Sequence, residues 1–293
     1  MPILDVTVGG VTTILSDGAP FAVLSADGGM ADVARITERG PLQQGDSDID
    51  FRLQPTLSTL GLIAYASDIG AHFDVRARLL EIFRPSRTPL VLRWTLENGA
   101  VRQLDCHVAG RLAFNSIDMR GFTQRCAVPL RAADPTLYDP AQVAVTYGVG
   151  GGGDSWTIPW AVPWGIGAAT VDQTRTIVYA GSWRTFPVIT ITGPITNPVI
   201  TNLTTGDKLD FTGITIAAAN TYTIDLAYGR KTITNQLGAN KIADLTNDSD
   251  LATFALEANP EAPGGVNSIR VTGTGATSAT EIYLQYYPRY VGF

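Results

Sequence analysis

The chain has 293 residues, 45% hydrophobic and 16% charged, which gives apolar material for two folded domains and rules out a disordered, highly charged chain. Its net charge of −6 argues against a protein whose main work is gripping phosphates. No run approaches the ~18 apolar residues of a membrane span.

The first residues, MPILDVTVGG, hold neither a basic stretch nor a long apolar core, so folding in a cytoplasm without a leader is expected. In that compartment Cys106 and Cys126, each among apolar same-face neighbours, read as free buried thiols. Arg76, Arg78, Arg84, Arg87 and Arg93 fall close together and read as solvated faces of a helix and a strand.

In chain order, Leu4, Val6 and Val8 alternate into Gly9-Gly10 and the chain returns from Val11 to Leu15, which predicts a hairpin. Gly28 to Pro41 is turn-rich and carries no clear period. Asp46, Asp48 and Asp50 alternate with Ile49, Phe51 and Leu53. A calcium loop would need glycine at position six and glutamate at position twelve, where Phe51 and Leu57 stand, so a strand with a polar outer face is expected. Val75, Leu79, Ile82 and Phe83 fall at helical spacing, with Asp74 as the expected cap and Arg84-Pro85 as the end. Leu90 to Leu96, a Glu97-Asn98-Gly99 turn and Val101 to Val108 predict a second hairpin, followed by a strand from Phe122 to Leu130.

The pattern breaks at Ala132, where AADPTLYDP reads as an exit turn and the glycines up to Gly153 as a flexible run. Trp156, Trp160 and Trp164 follow at four-residue spacing, but Pro159 and Pro163 turn a helical spacing into an extended arm. These indoles are the candidate inter-domain or inter-subunit anchors. From Phe186 onward the chain is strand and turn. Ile189 and Ile191, then Leu209 and Phe211, then Tyr222, Ile224 and Leu226 mark alternating strands of a sandwich or barrel. Further strands are expected at Thr253 to Leu256, Ser268 to Thr272 and Ile282 to Tyr287, with a turn at Gly273-Thr274-Gly275 and a short helix near Lys241 to Asp244. The fold class is therefore all-β with one helix in the N-terminal domain. The expected domains are 1–140, a linker arm at 141–185, and 186–293.

No chemistry assembles along this pattern. His72 and His107 have no metal spacing, Asp105 and His107 lack a placed nucleophile, and no phosphate-cradling glycine loop precedes a helix. Asp207, Asp210, Asp225 and Glu281 lie near turns or on outer faces, where solubility explains them. No catalytic residue, metal site or cofactor is expected.

Three segments carry a resemblance: FRPSRTPLVLRWTLENGAVRQLDCHVAG (83–110), QRCAVPLRAADPTLYDP (124–140), and FPVITITGPITNPVITNLTTGDKLDF leading to YTIDLAYGRKTI. WTIPWAVPWGIG before the third, and VNSIRVTGTG and EIYLQYYPRYVGF after it, fit the same order. The chain resembles siphophage distal tail proteins, hub components of the baseplate. The resemblance implies an N-terminal belt domain that closes a hexameric ring and a C-terminal galectin-like β-sandwich. It also implies partners, namely the tail tube protein, the tape-measure protein and the tail-tip hub protein, with DNA passing through the lumen unbound. The location it implies is the virion tail tip, after assembly in the host cytoplasm. The alternative expectation is a carbohydrate-binding module that uses Trp156, Trp160, Trp164 and Trp183, or, further off, a glycan-cleaving tail enzyme.

Overall fold

The structure is a computed structural model and describes residues 2–16, 18, 20–26, 31–118, 122–148 and 169–292. The chain divides into two units, Met1–Pro140 with Tyr290–Phe293, and Ala141–Arg289.

The first unit is built from antiparallel strands and one helix. Its elements are β1 (Ile3–Val8), β2 (Val11–Ile14), β3 (Phe21–Ser25), β4 (Val33–Glu38), β5 (Ser47–Leu53), β6 (Thr56–Tyr65), α1 (Ile69–Ile82), β7 (Leu90–Thr95), β8 (Val101–Val108), β9 (Ala113–Phe114), β10 (Thr123–Ala132) and β11 (Leu137–Tyr138). Hydrogen bonding orders the strands β2-β1-β7-β8-β10-β6-β3, with β9 on β10 and β11 on β8. β8 and β10 pair only through Val108 with Leu130 and His107 with Arg131. One core collects the inward residues on either side of that weak seam: Leu4, Val6, Leu92 and Trp94 from one side, Leu60, Leu62, Val128 and Leu130 from the other. The alternation seen in the sequence thus becomes a buried face, as a period of two demands.

α1 closes this core through Leu79, Ile82 and Phe83. It begins six residues before the expected cap: Asp68, in extended backbone, accepts a 2.9 Å hydrogen bond from the Ala71 amide. Asp74 sits inside the helix instead. The shift has a local cause. Asp68, its other oxygen held by the Ser67 hydroxyl at 2.9 Å, precedes Ile69 and Gly70 as an oriented acceptor, and a helix starts where its first amides find one.

The second unit contains β12 (Val143–Gly148), β13 (Ala169–Val178), β14 (Val188–Thr192), β15 (Ile195–Asn202), β16 (Lys208–Asp210), β17 (Thr215–Ile216), β18 (Thr221–Asp225), β19 (Thr232–Asn235), β20 (Val266–Ala276) and β21 (Glu281–Tyr286); the short β22 (Arg289–Tyr290) pairs with β11. One sheet runs β12-β21-β14-β18-β19 and the other β13-β20-β15-β16 with β17 beside β15. Their inner faces share one core around Ile189, Ile191, Leu209, Phe211, Ile224, Leu226, Ile269 and Leu284. β21 lies between β12 and β14, so Tyr283 stands on the outer side of a central strand, and Tyr287 follows just past its end.

Several expectations change here. The arm over 141–185 is not a linker at its ends: β12 and β13 are strands of the two sheets, pairing with β21 and β20 over six and nine residue pairs. Trp156, Trp160 and Trp164 lie outside the described residues. Thr253 to Leu256 is a turn with a single bridge from Leu256 to Thr185. Gly273-Thr274-Gly275 is no turn but the interior of β20. A Cβ on Gly273 would stand 2.6 Å from the Ile195 side chain, so the glycine serves close packing of β20 on β15.

Candidate assembly surface

β4 and β5 form a two-stranded ribbon that pairs with no other strand among the described residues. Val33 faces Leu53, Arg35 faces Phe51 and Ile36 faces Asp50, and a bulge after Ile36 lets Ile49 protrude. The sequence predicts a strand with a polar outer face for β5 alone, with Ile49 on the opposite side, yet Ile49 is 60% exposed, and Ile36 on β4 is 44% exposed. Leu42, at the tip, is fully exposed and holds a left-handed φ of 68°. The tip is nevertheless ordered by polar contacts: the Gly40 amide donates to Gln43 Oε1 at 2.9 Å, and Gln43 Nε2 donates to Ser47 at 2.9 Å. At the base, the Gln54 amide donates to the Asp32 carbonyl at 2.8 Å. A lone two-stranded ribbon is marginal in water, and exposed strand edges invite pairing with another chain.

A groove of about 310 Å³ opens on the same unit. Val6, Val8, Gly9, Val11 and Thr13 line one side, and Arg78, Glu81, Ile82 and Arg84 the other. The β1–β2 turn at Gly9-Gly10 holds φ of 56° and 84°, the conformation a two-residue hairpin needs. It leaves Val11 70% exposed beside the groove. α1 adds a third apolar surface: Ile69, Phe73 and Leu80 are exposed on it while Leu79 is buried. Helical spacing in the sequence pointed to the Leu79 side alone. Phe73 carries an apolar signal of its own, but nothing in one chain tells an outward phenylalanine from an inward one.

The residues singled out for chemistry are engaged structurally. His72 is fully buried between α1 and β10, its Nδ1 3.1 Å from the Phe122 carbonyl and its Nε2 3.1 Å from Gln124 Oε1. Gln124 Nε2 in turn donates to the Asn115 carbonyl. Asp105 accepts from the Tyr138 hydroxyl at 2.8 Å, and Ser86, across a small cavity from His107, shares a proton with Thr88 at 2.9 Å. Neither hydrogen bond joins these groups to His107. Cys106 and Cys126 are buried free thiols. Burial pushes Cys106 up to about 12, aided by the Asp105 charge, and Cys126 up to about 11 against the pull of Arg76. Asp207, Asp210 and Asp225 each accept from nearby turn groups, at 2.7 Å from Thr205, 2.6 Å from Thr212 and 3.0 Å from the Ala227 amide. Glu281 stands exposed at the start of β21.

Sequence reasoning missed two buried carboxylates: Asp5, 2% exposed and held by Arg93 Nε at 2.9 Å, and Glu257, 8% exposed. Burial raises the Glu257 pKa despite Arg184 at 3.6 Å. Its backbone is fixed by Asn267, whose amide accepts from the Glu257 N–H at 2.9 Å and donates to the Glu257 carbonyl at 2.8 Å. Trp183 is half-buried, with its backbone N–H on the Arg289 carbonyl at 3.1 Å. Among the described residues no group of three His, Cys, Asp or Glu side chains converges as metal ligands.

No family model and no curated protein matches the chain. Solved structures do. The crystal structure of the Dit protein (gp 19.1) of phage SPP1, described as a paradigm of the hub adsorption apparatus in phages infecting Gram-positive bacteria, superimposes with a TM-score of 0.62 at 12% identity. The match covers 98% of each chain. The activated phage P2 baseplate with calcium is similar at a TM-score of 0.49 and 9% identity, covering 97% of this chain and 98% of the other. The architecture is therefore an all-β fold like that of the SPP1 Dit protein.

Proposed function

We propose that this protein is a distal tail protein of a siphophage, a structural hub whose copies close into a hexameric ring at the tail tip. The ring joins the tail tube and the tape-measure end to the tip protein that carries host recognition, and DNA passes through its lumen. The first unit is the belt, the second a galectin-like sandwich facing outward. The Dit-like fold over nearly the full length supports this reading. The net charge of −6 suits it too, since a channel for a polyanion works best without phosphate contacts.

The observation that carries the proposal is that the same unit presents both the β4–β5 ribbon, which pairs with no other strand among the described residues, and an open groove. The ribbon offers Ile36 and Ile49 with a row of carboxylates, Asp46, Asp48 and Asp50, all exposed. The groove is lined by Val6, Val8, Val11 and Ile82 together with Arg78, Arg84 and Glu81, two positive charges to one negative. Apolar contact with opposite charges at the margin is the composition of a specific interface, and a surface on one copy that fits a different surface on the next generates a ring.

The test is light scattering on purified protein with and without charge changes. Wild type should run as a ring, Asp48→Arg and Arg84→Asp should each run smaller, and the double variant should recover the ring. Single variants that assemble as wild type does would refute the docking. A wild type that stays monomeric, even with its tail-tube and tip proteins added, would refute the ring itself.

A further inference from the structure

The groove beside α1 has a polar extension. Val8, Ile82 and Arg84 line it and also line a smaller cavity of about 10 Å³, which Ser86, Thr88 and His107 complete. That volume holds about one water-sized atom. The groove itself carries Glu81, but no carboxylate lines the cavity.

Each polar group there has a donor left over. Ser86 Oγ and Thr88 Oγ1 lie 2.9 Å apart, and the Thr88 amide donates to Ser86 Oγ at 3.2 Å, so one hydroxyl proton bridges the pair and the other stays free. Among the described residues no hydrogen bond or ion pair engages the Arg84 guanidinium or the His107 ring, and an imidazole bears at least one N–H in any state. A guanidinium, a hydroxyl and an imidazole N–H around the space of one atom are the donors that a carboxylate oxygen accepts from.

We propose that this cavity is a carboxylate socket, and that its occupant is one aspartate from the β4–β5 ribbon of another copy of the chain. Charge favours this occupant: Asp46, Asp48 and Asp50 are exposed, and the socket brings a cation and no acid. The three aspartates stand at every second residue, so they follow one another at about 7 Å. With an oxygen of one in the socket, its neighbour lies back along the groove, where Arg78 is the remaining cation. The socket thereby sets the register of the docked ribbon, because an apolar residue brought there would cover the donors without pairing them.

The socket rests on the ring reading above, and its test separates the two. Rings of the full chain are diluted, and the concentration at which they fall apart is read by mass photometry. Ser86→Ala with Thr88→Val, and separately His107→Ala, should each raise that concentration about tenfold while circular dichroism stays unchanged. Of the single changes Asp46→Asn, Asp48→Asn and Asp50→Asn, one should weaken the ring to a similar degree. In that background the socket changes should add less than about twofold, since the carboxylate they serve is gone. Socket changes that leave the wild-type ring as it was, or that add in full to all three asparagine changes, would overturn the socket and leave the ring standing. A wild type that never closes, even with its tail-tube and tip proteins added, would overturn both.

Discussion

Lys231 makes the stability of the second unit depend on pH in an unusual direction. Its folded value, about 8, lies below the ordinary 10.5, so the unfolded chain binds more protons between these values. Unfolding then becomes harder as pH rises through this window, since a buried charge present below pH 8 is released in the folded state only. Tyr147, Tyr222 and Tyr286 oppose this only at higher pH, because their folded values are raised from 10 and their contribution is lost above it. Urea unfolding of the full chain should therefore show a higher midpoint for the second unit at pH 9.5 than at pH 7.5. Lys231→Met should raise the midpoint at pH 7.5 and flatten the pH dependence; an undiminished slope in that variant would contradict the account. In the first unit the two buried thiols should resist Ellman's reagent in the folded chain and react at once when unfolded. Fast native reaction would contradict their burial.

At the scale of the element, α1 shows what a cap and a buried face each contribute. Asp68→Ala removes the acceptor of the Ala71 amide and should cost ~1 kcal/mol, whereas Leu79→Ala opens the core and should cost ~2–5 kcal/mol by chemical denaturation. If the cap mutation proved the costlier one, the packing account of this helix would fail. The period-two pattern made most strands readable, because half of each strand faces a core: Ile189 and Ile191, or Leu90, Leu92 and Trp94, alternate as their burial does. What stayed hidden had physical reasons. Val143 to Gly148 runs into glycines and reads as linker, although its pairing with β21 supplies the regularity that its composition lacks. Gly273 and Gly275 look like turn residues, while Gly273 is small because Ile195 lies against it. The helix start moved because Asp68 and Asp74 both have capping chemistry, and only the backbone around them decides which is used. Of the ribbon, β5 reads as a strand with a polar outer face while β4, inside the turn-rich stretch 28–41, is not legible at all, and alternation reports that a face wants covering and not which molecule covers it.

At the scale of the whole molecule, the chain spends its residues on two β-cores and leaves apolar side chains outside them in both units, Leu237 and Val178 among them in the second. Ile36 and Ile49 on the ribbon, Val11 by the groove, and Phe73 on α1 are exposed in the single chain. Such surface is expected where copies or partners meet. The candidate site was legible only in part for the same reason: the residues were visible, and their being uncovered was not. The central claim is that this surface is covered by further copies of the chain in a ring. Light scattering joined to negative-stain imaging of the purified wild-type protein, with Ile49→Asp as its comparison, tests it most directly. The account expects six-membered rings from the wild type, and smaller, folded particles with unchanged circular dichroism from Ile49→Asp. Intact rings from the Ile49→Asp chain would contradict it.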